Sequence, residues 1–211
     1  MVILALTALG LLVGSLAAPL AAPYVGEVPR GRRVAMGIVT AAGFGLLGWR
    51  VGWQPYLPAL LYLVAVGTLL CFIDVAVKRL PDRFTLPSYG IAAVLLAAAV
   101  PFTDDGFSRF GNALLGMVVL LMIYGVQVVV VPSGLGLGDV KLSGLLGLYL
   151  GWFGQSAWVL GLLLTYLSGG LVAIALMLVR RTRKGEFPFG PYMVLGAVAA
   201  VLLAPAFATT T

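Results

Sequence analysis

Histidine is absent from the 211 residues, and there is a single cysteine, Cys71. Without histidine, Ser-His and Cys-His nucleophile pairs and histidine-held metals are excluded. One cysteine makes neither an intrachain disulfide nor a cysteine-based zinc site. Charge is equally scarce: 9% of the residues are charged and 62% are hydrophobic, whereas a soluble domain carries roughly 25% charged residues. A chain this apolar has too little polar surface to face water, so its solvent is lipid. Chemistry is left to Asp, Glu, Lys, Arg, Tyr, Ser and Thr, and neither a metal nor a cofactor is expected. The net charge of +6 reads as basic loops beside anionic lipid rather than as a nucleic-acid surface.

A transmembrane helix needs about 20 apolar residues. The apolar stretches predict an all-α, polytopic bundle of about eight spans, at 2–22, 34–49, 56–77, 84–102, 110–131, 140–154, 157–179 and 191–207. Residues 140–179 are too long for one span and suit two, with Gly154-Gln155-Ser156 as the turn between them. The first stretch has no basic segment before it and is long enough to span, so no cleavable signal peptide is evident. No internal repeat or separate soluble domain is visible, and residues 1–211 read as a single membrane domain.

Charge sets the orientation. Eleven of the thirteen basic residues fall in odd-numbered loops, among them Arg30, Arg32, Arg33, Lys78, Arg79, Arg83 and Lys141. The even loops hold only Arg50 and Arg109, and all four tryptophans (Trp49, Trp53, Trp152, Trp158) lie near them. The positive-inside rule and the aromatic belt then both put odd loops in the cytoplasm and both termini outside. Arg180–Lys184 reads as a topology anchor. The small-xxx-small pairs Gly10/Gly14 and Gly147/Gly151 predict closely packed helices.

Acids are few enough to weigh singly. Glu27, Asp104, Asp105 and Glu186 read as solvated loop charges. Asp74 lies near the end of the third span; it either pairs with Lys78 at i, i+4 or, as an ionisable group inside an apolar helix, marks function. Asp139 ends Gly134-Leu135-Gly136-Leu137-Gly138-Asp139 before the sixth span. A helix N-cap would explain the aspartate alone. It does not explain three alternating glycines, which suggest backbone that bends or admits a close neighbour at membrane depth. Both aspartates belong to the same membrane face. If they meet, like charges at close range cannot both ionise easily, and the pair holds one proton. One then serves as base on a water while the other polarises a peptide carbonyl, chemistry that needs no histidine, cysteine or metal.

These residues resemble the prepilin peptidases, or type IV leader peptidases, of the GxGD class of membrane aspartyl proteases. The matching motifs are Asp74 followed by Pro81-Asp82 and Thr85-Leu86-Pro87, then Gly136-Leu137-Gly138-Asp139-Val140-Lys141-Leu142, then Pro188-Phe189-Gly190-Pro191. The resemblance covers residues 56–207. It implies catalytic Asp74 and Asp139, with Gly136, Gly138 and Lys141 supporting the site or binding substrate. It implies a multi-pass protein of the bacterial inner membrane that cleaves the short basic leader from prepilins or pseudopilins on the cytoplasmic side. The substrate's apolar helix would arrive laterally from the bilayer. Large bifunctional members carry a domain with two C-x-x-C pairs after the first helix and also N-methylate the product. Here that position holds Pro23–Arg33 without cysteine, so methyltransferase activity is expected to be absent.

Neighbouring residues have plainer readings. Lys141 either tunes Asp139 or snorkels to the interface. Asp82 reads as the N-cap of the fourth span rather than a third catalytic acid, and Pro188–Pro191 as a structural turn. Two rival functions remain. An ion-coupled transporter would show repeats and mid-membrane acids; a scaffold would not depend on its aspartates.

Overall fold

The computed structural model describes residues 1–131, 135–180 and 188–207. Gly134 of the glycine-rich motif, most of the Arg180–Lys184 cluster and Glu186 lie outside the described residues. Among the described residues the chain forms eight helical rods and no strand. The rods are α1 (Val2–Val25), α2 (Arg30–Arg50), α3 (Leu57–Val77), α4 (Asp82–Ala99), α5 (Gly106–Val130), α6 (Leu137–Trp152), α7 (Gln155–Arg180) and α8 (Gly190–Phe207). Five segments are long and apolar enough to cross a membrane: α1, α3, α4 with its following 3-10 turn, α5 and α7.

Helix ends depart from the apolar stretches because hydropathy marks lipid contact, whereas backbone hydrogen bonds continue into charged turns. α1 keeps a helical path past Ala17 through a 3-10 turn at Ala18–Ala21 and a last turn at Ala22–Val25. Arg30, Arg32 and Arg33, expected in a loop, form the first turn of α2 after Pro29. Arg109 likewise sits inside α5. α6 starts at Leu137, so Asp139 is its third residue and the N-cap is Gly136. Asp82 is the first residue of α4, with Pro81 as N-cap. The expected turn between the sixth and seventh spans is made by Gly154, whose φ of 98° suits a residue without Cβ.

Helices associate through small residues, since lipid offers no hydrophobic reason for apolar faces to meet. A Cβ on Gly10 of α1 would stand 2.8 Å from Ala41 Cα of α2, and one on Gly14 would stand 2.6 Å from the Met36 carbonyl oxygen. Gly147 and Gly151 of α6 fit against the α5 backbone around Gly116 and Asn112 in the same way. Both pairs singled out in the sequence are thus helix contacts. Gly196 of α8 packs on the α7 backbone at Gly161 and Thr165. α1–α2, α5–α6 and α7–α8 are the most extensive helix pairings.

α6 is the centre of the bundle. Its residues from Leu142 to Trp152 are all buried, against α4, α5, α7 and α8. A helix that is apolar on every side belongs in an interior. α3 is the most enclosed of the five long segments: 50% of its spanning window is buried, against 17% to 28% for the other four. Asp139 is thus carried by the central helix and Asp74 by the most enclosed of the five long segments.

Candidate active site

Asp74 lies in the last turn of α3 and is 4% exposed. Lys78 ends that helix in the left-handed region at φ 54°, and its N–H donates to the Asp74 carbonyl at 2.7 Å. The Asp74 side chain turns to another element. Its Oδ2 accepts the Gly190 N–H at 3.0 Å, a bond that is buried and spans 116 positions of sequence. Gly190 opens α8, where the first N–H groups have no partner within the helix and the helix dipole favours a carboxylate. A larger residue there would displace Asp74, because a Cβ would stand 2.8 Å from Asp74 Oδ2. The Pro188–Pro191 segment is thus more than a turn: it supplies the hydrogen-bond donor for Asp74. The signal for it was a glycine followed by proline at a helix start.

Asp139 is half-buried in the first turn of α6. It accepts the Gly136 N–H on Oδ2 at 3.0 Å, closing the loop back onto the helix start. It therefore caps from inside the helix rather than as the N-cap residue. Gly136 is extended, at φ −84° and ψ 155°, and neither Gly136 nor Gly138 has a positive φ. Gly136 and Gly138 do not serve an unusual backbone bend. Gly138 serves close approach: a Cβ on it would stand 3.0 Å from Leu80 Cβ.

Leu80 also borders Gly190, the donor to the other aspartate. A Cβ on Gly190 would stand 3.5 Å from Leu80 Cδ2. The loop between α3 and α4 thus touches the Asp139 turn on one side and the Asp74 partner on the other. The two carboxyl groups thus lie at one end of the bundle, linked through Leu80: Asp74 by its bond to Gly190, Asp139 by its neighbour Gly138.

Lys141 does not reach Asp139's carboxylate or snorkel alone. Its Nζ donates to both carboxylate oxygens of Asp82, at 2.8 and 2.7 Å. Its backbone carbonyl accepts the Tyr89 hydroxyl at 2.5 Å. Asp82 and Tyr89 belong to α4, so α6 is tied to α4 through one residue. Neither the ion pair nor Tyr89 was foreseen from sequence, where partners 59 and 52 positions apart leave no local pattern.

Beside this cluster lies a groove of about 240 Å³ lined by Gln127, Val131, Leu135, Tyr166 and Phe189. Tyr166 donates to Gln127 Oε1 at 2.6 Å and stands 5.9 Å, ring to ring, from Phe189.

Residues 60–178 match the family model of the type IV leader peptidases. The chain belongs to this family. It is a multi-pass membrane protein, and the matched region contains both aspartates and the ion-paired Asp82 and Lys141. Similar curated proteins bear the name prepilin leader peptidase/N-methyltransferase. The one from Aeromonas salmonicida (strain A449) is 36% identical over 155 residues, 72% of this chain and 50% of that protein. The one from Neisseria gonorrhoeae is 32% identical over 166 residues, 75% of this chain and 53% of that protein. The one from Escherichia coli (strain K12) is 35% identical over 139 residues, 65% and 59%. The chain spans about half the length of the first two. No solved structure matches it.

Proposed function

We propose that this chain is an aspartyl endopeptidase of the bacterial inner membrane that removes the short basic leader from prepilins or pseudopilins. The observation that carries the reading is the convergence of two aspartates, 65 positions apart in sequence, on one end of the bundle, where Leu80 touches both the Gly138 turn beside Asp139 and the Gly190 donor to Asp74. The family model and the names of the relatives support the substrate class.

Two carboxyl groups sharing one proton suffice for amide hydrolysis. The ionised aspartate takes a proton from water as the water oxygen bonds to the scissile carbonyl carbon. The protonated one donates to the carbonyl oxygen, giving a tetrahedral diol. The amide nitrogen then accepts a proton, the C–N bond breaks, and the products are a carboxylic acid and an amine. The N–H groups of Gly190 and Gly136 each hold one oxygen, Oδ2, of the two carboxylates.

The site faces the cytoplasm in this reading, and both termini lie outside. Support comes from the loops that gather around the aspartates, which are the arginine- and lysine-rich ones. Arg32 shares a groove with Tyr24 and the end of α3, and Lys141 pairs with Asp82. Methyl transfer is not carried over from the relatives' name, because the place where the resemblance expects a cysteine-rich domain holds Pro23–Arg33. A transporter reading finds no support in the family match.

The test is cleavage of a peptide with a Lys/Arg-Gly leader and an apolar helix by the detergent-solubilised protein. Wild type cleaves it, with and without chelator; Asp139→Asn does not. Full cleavage by Asp139→Asn, or loss of wild-type activity on metal removal, contradicts the mechanism.

A further inference from the structure

The aspartates sit on different helices, so their separation depends on what fixes α6 against its neighbours. Three contacts do so at the Asp139 end, and all come from the start of α4 or the loop before it. Leu80 packs on Gly138, immediately before Asp139. Asp82 takes both its hydrogen bonds from Lys141 Nζ. Tyr89 donates to the Lys141 carbonyl. Lys141 is two positions after Asp139 in the same helix, so its side chain and its backbone are both held by α4 just beyond the aspartate. Leu80 meanwhile borders Gly190, the donor to Asp74.

Exposure shows what the ion pair is for. The Lys141 and Asp82 side chains are 38% and 54% exposed. Water screens such a pair, and its contribution to stability is small. Its geometry, with one ammonium shared between both carboxylate oxygens, instead fixes direction. A reacting pair is sensitive to displacements far too small to unfold a protein.

From these contacts we infer that the Asp82–Lys141 ion pair is a positioning latch that sets the first turn of α6, and with it Asp139, at its working distance from Asp74. Asp82 is then a positioning residue and not a third catalytic acid, and Leu80 is the spacer between the two halves of the site. The inference rests on the aspartyl reading for its effect on turnover, but not for the latch itself.

The test has two arms on the full-length protein. In the first, Lys141→Met and Asp82→Asn each lower kcat about tenfold with KM unchanged. The double variant falls no further than either single, since the two act as one unit. Lys141→Arg stays within about twofold, because arginine also binds a carboxylate through two bonds. In the second arm, spin labels at Leu86→Cys and Leu137→Cys, in a Cys71→Ala background, report the α4–α6 distance. A single narrow distribution is expected, broadened by Lys141→Met and kept by Lys141→Arg. Singles that keep full kcat, losses that multiply in the double variant, or a distribution unmoved by Lys141→Met each overturn the latch. Asp74→Asn and Asp139→Asn, assayed alongside, judge the aspartyl reading separately: should they cleave, that reading fails while the distance arm still decides the latch.

Discussion

At the end of the bundle that holds Asp74 and Asp139, helices meet through a carboxylate on a helix N-terminus and an ion pair. At the opposite end they meet through rings. Tyr56 stands 5.9 Å from Trp152 and edge-on to Phe153 at 5.5 Å, and Arg50 Nε donates to the Leu202 carbonyl at 2.9 Å. A groove of about 400 Å³ there is lined by Tyr56, Arg109, Asn112 and Trp152 among others. α6 runs between the two, with Asp139 in its first turn and Trp152 at its last residue. These rings hold helices to one another, while the exposed Trp49 and Trp53 near this end suit a lipid–water boundary and hold the bundle at a depth. Carboxylates tied to backbone N–H groups hold two particular atoms at a distance. One end anchors the bundle, and the other spends its scarce charge on geometry.

If that division is right, substitutions should have unequal effects at the two ends. Asp74→Asn or Asp139→Asn should lower cleavage at least ~1,000-fold, the loss expected when an essential acid or base is removed. Asparagine keeps an oxygen that can accept the Gly190 or Gly136 N–H, so membrane insertion and thermal unfolding should be unchanged. Gly190→Ala should come next. Its Cβ meets Asp74 Oδ2, and the displaced carboxylate should lower kcat by about 10- to 100-fold. Steady-state kinetics on purified protein check both.

A substitution in the shared middle sharpens the comparison differently. Gly147→Val presses a side chain into the α5 backbone beside Gly116. Overpacking of that kind costs about 1–3 kcal/mol, to be read as a lower thermal midpoint in detergent. At the ring-built end, Tyr56→Phe removes only a hydroxyl and Arg109→Ala only a rim charge. Cleavage by either should stay within about twofold of wild type, by the same assay. A large kinetic loss at this end would erase the distinction between anchor and active site.

Much of this was legible in the sequence, for physical reasons that can be named. Long apolar runs such as 110–131 and 157–179 mark helices because lipid forces every backbone group to bond within its own segment. The two aspartates stood out because an apolar chain keeps few acids. Contacts across the bundle were not legible. Nothing local to Asp82 announces Lys141, nothing in Lys141 announces Tyr89, and the role of Gly190 depends on where α3 ends. The N-cap reading of Asp139 failed by three residues, because Gly136 starts the helix earlier than the apolar run begins. Of the two readings left open for the glycines, a bend or a close neighbour, Gly138 follows the second: its constraint is Leu80 rather than a dihedral angle.

The central claim is that Asp74 and Asp139 act as one proton-sharing pair. The most direct measurement is the cleavage rate of the single and double Asp→Asn variants against the same leader peptide. The account predicts that Asp74→Asn, Asp139→Asn and the double variant are equally inactive while wild type turns over. Substantial cleavage by either single variant in correctly folded protein would contradict it.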